Sequence, residues 1–294
     1  MKAIVSGASG YLGYHLVKEL LAEGHIVYAI CRKTLGHLEE IEDKSNLKTI
    51  ISEIDDVDIK IGKEDIDVWY HLAWQGALGK KRAEAVTQIS NEILAVKAMH
   101  QAKKIGCKRI IYTGTVYENL AEDMLKAPQF YGNSFYCIAK KHTHEMTEQL
   151  SKKMDIEYSW VQFCHPVGKY MDTSQLFPTV VNAFKNNESM EFGSCSNYFD
   201  IISTEYLASS LRKIGELEAP KTFYYIGSGK PRKLKEYIEE IASLCGFHQK
   251  ILFGARADDG LVLKKEWFDS RNFAEEKCND INSVKRLVTD WLRD

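Results

Sequence analysis

A glycine-spaced turn close to its start leaves this chain few folds to choose from. The apolar run KAIVS at 2–6 ends in Gly7-Ala8-Ser9-Gly10-Tyr11-Leu12-Gly13, and helical spacing follows through Leu16, Val17, Leu20 and Leu21. A strand, a glycine turn and an amphipathic helix in direct succession open a βαβ unit whose helix N-terminus can face a pyrophosphate. Gly7 permits the tight turn, Gly10 lets the backbone approach the phosphates, and Gly13 lets the helix pack closely on the sheet. Glycines also shape turns for structural reasons alone, so the weight of this set comes from its position between strand and helix.

Further short runs rich in β-branched and aromatic residues stand at 26–31, 47–51, 66–72 and 109–113, and read as strands. Between them lie helical spacings such as Ile89, Ile93, Val96 and Met99. The alternation predicts an α/β chain with a Rossmann-like, doubly wound parallel sheet. A long helix is expected over 134–154 and a sixth strand over 158–163. The pattern then changes: a helix over 176–187, strand or loop near 190–202, a helix over 204–216, a strand over 222–226 and a helix over 233–245. This divides the chain into a dinucleotide-binding domain, 1–168, and a smaller substrate-binding region, 169–294, partly interleaved with the first.

Bulk properties remove other classes. Lys and Arg number 39 against 41 Asp and Glu, a formal charge of −2, so no overall positive field attracts nucleic acid. The seven cysteines (Cys31, Cys107, Cys137, Cys164, Cys195, Cys245, Cys278) are odd in number, scattered and never C-x-x-C, which argues against a disulfide framework or zinc knuckle. A reducing, cytoplasmic setting is expected, with no signal peptide, no stretch of roughly 18 apolar residues for a membrane span, and no metal. His142 and His144 lie two apart on a helix and therefore on different faces, a poor metal site.

Tyr136 and Lys140 are four apart on the 134–154 helix and project from one face. A phenol, with a reference pKa of about 10, needs a nearby positive charge to exchange protons near neutrality, and Lys140 can supply it. At the end of the second strand, where an acid usually meets the ribose hydroxyls of NAD, the chain has Arg32-Lys33. These either pair with a 2′-phosphate, favouring NADP over NAD, or form a solvated strand end. Lys80-Lys81-Arg82 reads as a solvated loop in preference to a ligand site, although it follows a strand on the dinucleotide side.

G-x-x-G-x-x-G followed by Y-x-x-x-K, in this order along alternating strands and helices, resembles the extended short-chain dehydrogenase/reductase family over nearly the whole chain. The resemblance implies that Ser9, Tyr11 and Leu12 join the glycines at the cofactor, that Tyr136 and Lys140 are catalytic, and that a Ser or Thr ends the fifth strand beside the reacting oxygen. Two registers compete for it. Counting from the strand start gives Thr115; counting back from Val116-Tyr117 gives Thr113, and Thr115 is preferred with Thr113 as an adjacent cofactor contact. Glu53-Ile54 falls where the family has Asp-Ile against the adenine. Leu72-Ala73-Trp74 resembles the cofactor-side loop after strand four, Asn91 the central helix asparagine, and Cys164-His165-Pro166 the turn by nicotinamide and substrate. His165 is read either as a substrate contact or as a half-buried structural histidine.

The segments Tyr198-Phe199-Asp200-Ile201-Ile202 and Ile226-Gly227-Ser228-Gly229-Lys230-Pro231 are similar to bacterial nucleotide-sugar epimerases, dehydratases and 4-ketoreductases. Phe199 stands where many epimerases place an Arg before the Asp. Arg256 is either a substitute charge for the sugar nucleotide or a surface residue. The resemblance thus implies an NADPH-dependent reductase acting at C4 of a nucleotide-linked 4-keto-6-deoxyhexose. The alternatives are a 4-epimerase with retained NAD and a catalytically silent NADP sensor. A dehydratase would carry Asp-Glu after the catalytic Thr, and here Val116-Tyr117 follow. A homodimer through the 83–105 and 134–154 helices is implied as well.

Overall fold

The computed structural model describes residues 1–62, 64–258, 260–269, 284–285 and 287–289; Cys278 lies outside the described residues. In chain order the elements are β1 (Lys2–Ser6), α1 (Tyr11–Ala22), β2 (Ile26–Cys31), β3 (Leu47–Ile51), α2 (Val57–Ile61), β4 (Val68–His71), α3 (Ala85–Lys104), β5 (Arg109–Thr113), α4 (Ala121–Lys126), α5 (Ser134–Met154) and β6 (Glu157–Gln162). There follow β7 (His165–Val167), α6 (Leu176–Lys185), β8 (Tyr198–Phe199), β9 (Ile201–Ser203), α7 (Thr204–Glu216), β10 (Phe223–Tyr225), β11 (Arg232–Lys233) and α8 (Leu234–Leu244).

Seven strands form one sheet in the order β3-β2-β1-β4-β5-β6-β10, and β1 pairs in parallel with both β2 and β4. The expected Rossmann-like sheet is therefore present. The strand order reverses at β1, so the chain leaves β1 and β4 in different directions and opens a crevice at their carboxyl ends. The inner strands β1, β2 and β4 are buried almost throughout and read as near-unbroken apolar runs, whereas the edge strand β3 is largely exposed. β4 and β5 are buried along their whole length. Trp69, Tyr112 and Trp160 pack with Ala95, Ala98 and Met99 of α3 in one core cluster.

The chain makes two compact units: Met1–Gln162 with Ala208–Tyr224, and Phe163–Leu207 with the residues from Tyr225 onward. The first unit thus takes a late segment back. The Trp160 amide donates to the Thr222 carbonyl (2.8 Å) and the Ser159 hydroxyl to that of Lys221 (2.7 Å). Arg109, buried at the start of β5, donates to the carbonyls of Gly215 (2.8 Å) and Leu217 (2.6 Å) and pairs with Glu157. In the second unit, the stretch near 190–202 resolves into two short strands, β8 on β11 and β9 on β7. Asp200, fully buried between them, accepts from Tyr225 Oη (3.0 Å), the Ser228 amide (3.1 Å) and the Ser228 hydroxyl. The turn at Gly227–Pro231 is held by this carboxylate. No helix among the described residues is long and apolar enough to cross a membrane.

Candidate active site

The turn between β1 and α1 builds one wall of a groove of about 370 Å³. Gly7 has φ +78°, and a Cβ there would come within 2.7 Å of the Ala73 amide nitrogen, so the turn and the chain leaving β4 approach as only glycine allows. At Gly13 a Cβ would overlap the Gly7 carbonyl oxygen and Ala8. The nearest approach at Gly13 is thus to the turn that precedes its helix. Gly10 is the N-cap of α1, with no side-chain cap and no acidic residue in the first turn, an arrangement that suits an anion. Gly7, Ser9, Gly10, Arg32, Glu53, Ile54, Leu72, Ala73, Trp74 and Asn91 line the groove together with Ile30, Ser52, Gln75 and Leu94, which sequence reasoning did not single out.

Arg32 is exposed, its Nη1 3.3 Å from Gln75 Oε1; Lys33 is exposed beside it. Asn91 reads Gln75 with both ends of its amide, accepting from the Gln75 N–H (2.8 Å) and donating to its carbonyl (2.7 Å). One turn earlier on α3, Gln88 accepts from Trp74 Nε1 (3.0 Å) and donates to the carbonyls of Gly76 and Lys81. Two buried amides on one helix therefore fix the whole loop after β4.

Trp74 joins the groove to the Tyr136 and Lys140 pair. The Lys140 ammonium lies 3.7 Å from the centre of the Trp74 ring and donates to the Thr113 carbonyl at 2.8 Å. The Tyr136 ring meets Trp74 edge-on with centres 6.2 Å apart. Both residues are buried on α5. Burial pulls the Lys140 ammonium down to about 7, against the opposing pull of Glu118. Burial also pushes the Tyr136 phenol above its ordinary value, while Arg82 and a hydrogen bond with the Thr115 hydroxyl draw it back. The two candidate threonines separate here: the Thr115 hydroxyl serves Tyr136, whereas the Thr113 hydroxyl reaches the His71 carbonyl at 3.4 Å. His71, buried under Thr113, is pulled down to about 3 by burial and by Lys140, which keeps it neutral.

The remaining candidates belong to the second unit. Cys164 is buried, which pushes its thiol up to about 12. His165 opens β7, half-buried, its ring edge-on to Phe177 (4.8 Å) and near Phe199. Phe199 is itself buried in that aromatic group. Arg256 is exposed, and its backbone amide donates to the Phe192 carbonyl.

Residues 3–229 match the NAD dependent epimerase/dehydratase family. The chain belongs to that family. Relatives of this epimerase/dehydratase chain include CDP-abequose synthase of Salmonella muenchen, 24% identical over 270 residues that cover 89% of this chain and 87% of that one. Another is dTDP-6-deoxy-L-talose 4-dehydrogenase (NAD(+)) of Aggregatibacter actinomycetemcomitans, 23% identical over 90% of this chain and 98% of the other. Among solved structures, dTDP-glucose 4,6-dehydratase from Streptomyces venezuelae with NAD bound has a TM-score of 0.81 at 16% identity, covering 100% of this chain and 97% of that one. UDP-N-acetylglucosamine 4-epimerase from Methanobrevibacter ruminantium M1 has a TM-score of 0.79 at 19% identity, covering 99% and 98%. As an epimerase/dehydratase family member, this chain is an NAD(P)-dependent enzyme of the nucleotide-sugar group.

Two residues of this family member's site escaped the sequence reading. Glu118 is buried and accepts from Gln162 Nε2 (2.6 Å), Trp160 Nε1 (3.0 Å) and the Thr115 amide (3.3 Å), with His144 Nδ1 at 3.0 Å. Its signal was available as Thr-x-x-Glu, since Thr115 and Glu118 form a reciprocal capping box on the 3₁₀ turn Val116–Leu120. Arg82 corrects the reading of Lys80-Lys81-Arg82 as solvated: Lys80 and Lys81 are exposed, but the Arg82 guanidinium lies 4.1 Å from the centre of the Tyr136 ring. His142 and His144 pair with different carboxylates, Glu92 and Glu118.

Proposed function

We propose that this enzyme reduces a nucleotide-diphosphate-linked 4-keto-6-deoxyhexose at C4, using NADPH as the reduced form of NADP. The observation that carries the reading is the Thr115–Tyr136–Lys140 group beside a glycine-walled groove whose β2 end offers Arg32 and Lys33 in place of an acid. The names of the relatives that act on deoxy sugars, CDP-abequose synthase and dTDP-6-deoxy-L-talose 4-dehydrogenase, agree with this substrate class.

The residues present fit a dinucleotide. Gly7, Ser9, Gly10, Tyr11, Leu12 and Gly13 hold its pyrophosphate, Arg32 and Lys33 a 2′-phosphate, Glu53 and Ile54 the adenosine end, and Leu72, Ala73, Trp74, Asn91, Thr113 and Cys164 the remainder. When bound, the cofactor supplies the hydride. Tyr136 gives its proton to the oxygen at C4, and Thr115 hydrogen-bonds that oxygen and the phenol together. Lys140, dry and anchored on the Thr113 carbonyl, orients the ribose and assists proton return to Tyr136. His165 and Arg256 contact the sugar nucleotide. A homodimer belongs to the same proposal, because α3 exposes Val86, Ile89 and Ile93; an Ile89→Glu, Ile93→Glu chain that sediments like the wild type removes it.

The test adds NADPH or NADH to the purified protein with a panel of 4-keto sugar nucleotides and follows loss of reduced cofactor. Faster loss with NADPH, abolished in Tyr136→Phe while cofactor binding persists, supports the reading. Interconversion of unoxidised sugar nucleotides with no net loss of either cofactor would sink it in favour of an epimerase.

A further inference from the structure

Arg82 sits on the 3₁₀ turn Lys80–Ala83, and the loop that carries it is pinned by Gln88 and Asn91. Its guanidinium carbon lies 4.1 Å from the centre of the Tyr136 ring and 4.9 Å from that of Tyr117, so the cation rests against two aromatic faces. Arg82 Nε is buried with no hydrogen-bond acceptor, and Arg82 forms no ion pair among the described residues. An arginine half out of water usually recovers its lost hydration from a carboxylate or carbonyl. Among the described residues, two aromatic rings take that place.

Lys140 is held differently. Its ammonium is engaged by the Thr113 carbonyl and the Trp74 ring, and the same burial that holds it there draws down its charge. The groups around Tyr136 are Arg82 from the 80–83 turn, which also meets the Tyr117 ring, Trp74 from the loop after β4, Thr115 and Glu118 from the segment after β5, and Cys137 and, one turn along, Lys140 from α5. Of the two cations in that set, only Arg82 lies over the ring itself. A phenol that loses its proton spreads charge into its ring, so a cation on the ring face gains more from the phenolate than from the phenol.

We infer that Arg82 is a positioning residue that holds Tyr136 ready to exchange its proton, acting across the face of the ring where Lys140 does not. The inference rests on the assignment of Tyr136 as proton donor. The direction of the Arg82 effect on the phenol, downward against burial, agrees with it.

The experiment needs no substrate, so its outcome is separate from that of the reductase assay. The protein is labelled with ¹³Cζ-tyrosine, the Tyr136 resonance is assigned from Tyr136→Phe, and its ionisation is followed by NMR. Arg82→Met is expected to raise the Tyr136 midpoint by about one pH unit or more, and Arg82→Lys to fall between it and the wild type. Lys140→Met is expected to move the midpoint less than Arg82→Met does. If Arg82→Met does not fold, Arg82→Gln, with a neutral planar head, carries the same expectation. An unmoved midpoint in the folded neutral variant overturns the inference. So does an unmoved midpoint joined to weaker binding of UDP, which would make Arg82 a diphosphate ligand.

Discussion

Two glycines of the same turn do different work. A methyl group at Gly13 overlaps the Gly7 carbonyl, whereas at Gly10 it meets that oxygen at 3.2 Å and nothing else nearby. Gly13→Ala is therefore expected to destabilise the protein by ~2 kcal/mol or more, by overpacking. Gly10→Ala is expected to stay within about 1 kcal/mol of wild type yet to bind dinucleotide at least about tenfold more weakly; urea unfolding and cofactor titration separate the two. Lys140 gives a pH signature. Its folded value is about 7 against an ordinary 10.5. Below pH 7 the folded protein carries the full cost of a buried ammonium; that cost declines as pH rises from 7 to 10.5 and is absent above. Lys140→Met, net of the lost bond to Thr113, is expected to stabilise by about 3 kcal/mol at low pH, with a gain that shrinks toward pH 10. Equal gains in urea melts at pH 6 and pH 9.5 would refute the burial account. At this scale the glycines, Tyr136 and Lys140 were legible because each depends on local spacing. Arg82 was not: three consecutive cations on a short turn carry no mark of which one turns inward.

At the level of elements, the helix and strand runs were legible wherever periodicity was strong. α5 spans Ser134–Met154 and α7 Thr204–Glu216, as the spacing of their apolar residues indicates. The short strands β7, β8, β9 and β11, of two or three residues each, were not resolved in the sequence, because so few positions cannot establish an alternation. Nor does a local pattern announce what Arg109 does. Read in sequence it starts a strand; in the structure it supplies donors to the carbonyls at the end of α7 that no intrahelical amide reaches. Arg109→Ala leaves these carbonyls and Glu157 without their cation and is expected to cost about 3 kcal/mol, read from the urea midpoint. A loss under about 0.5 kcal/mol would mean that solvent replaces the guanidinium without penalty.

For the whole molecule, a division at residue 168 leaves the first unit short of a part. Residues 208–224 supply the start of the edge strand β10 and the acceptors of Arg109, Ser159 and the Trp160 amide. A fragment ending at 168 is expected to lack a cooperative melt by circular dichroism, since β6 loses its neighbour and its buried polar groups lose their partners; a sharp transition near that of the full chain would contradict this. Which segment returns could not be anticipated, because Trp160 and Thr222 meet across 62 residues without a local sign of it. That return also sets an order of events on the ribosome. At synthesis rates of about 5–20 residues per second, β6 emerges on the order of several seconds before the strand that will cover it. During that interval the nascent sheet presents an open edge containing Trp160 and Val161, and a chaperone or a second nascent chain competes for it until residue 224 arrives.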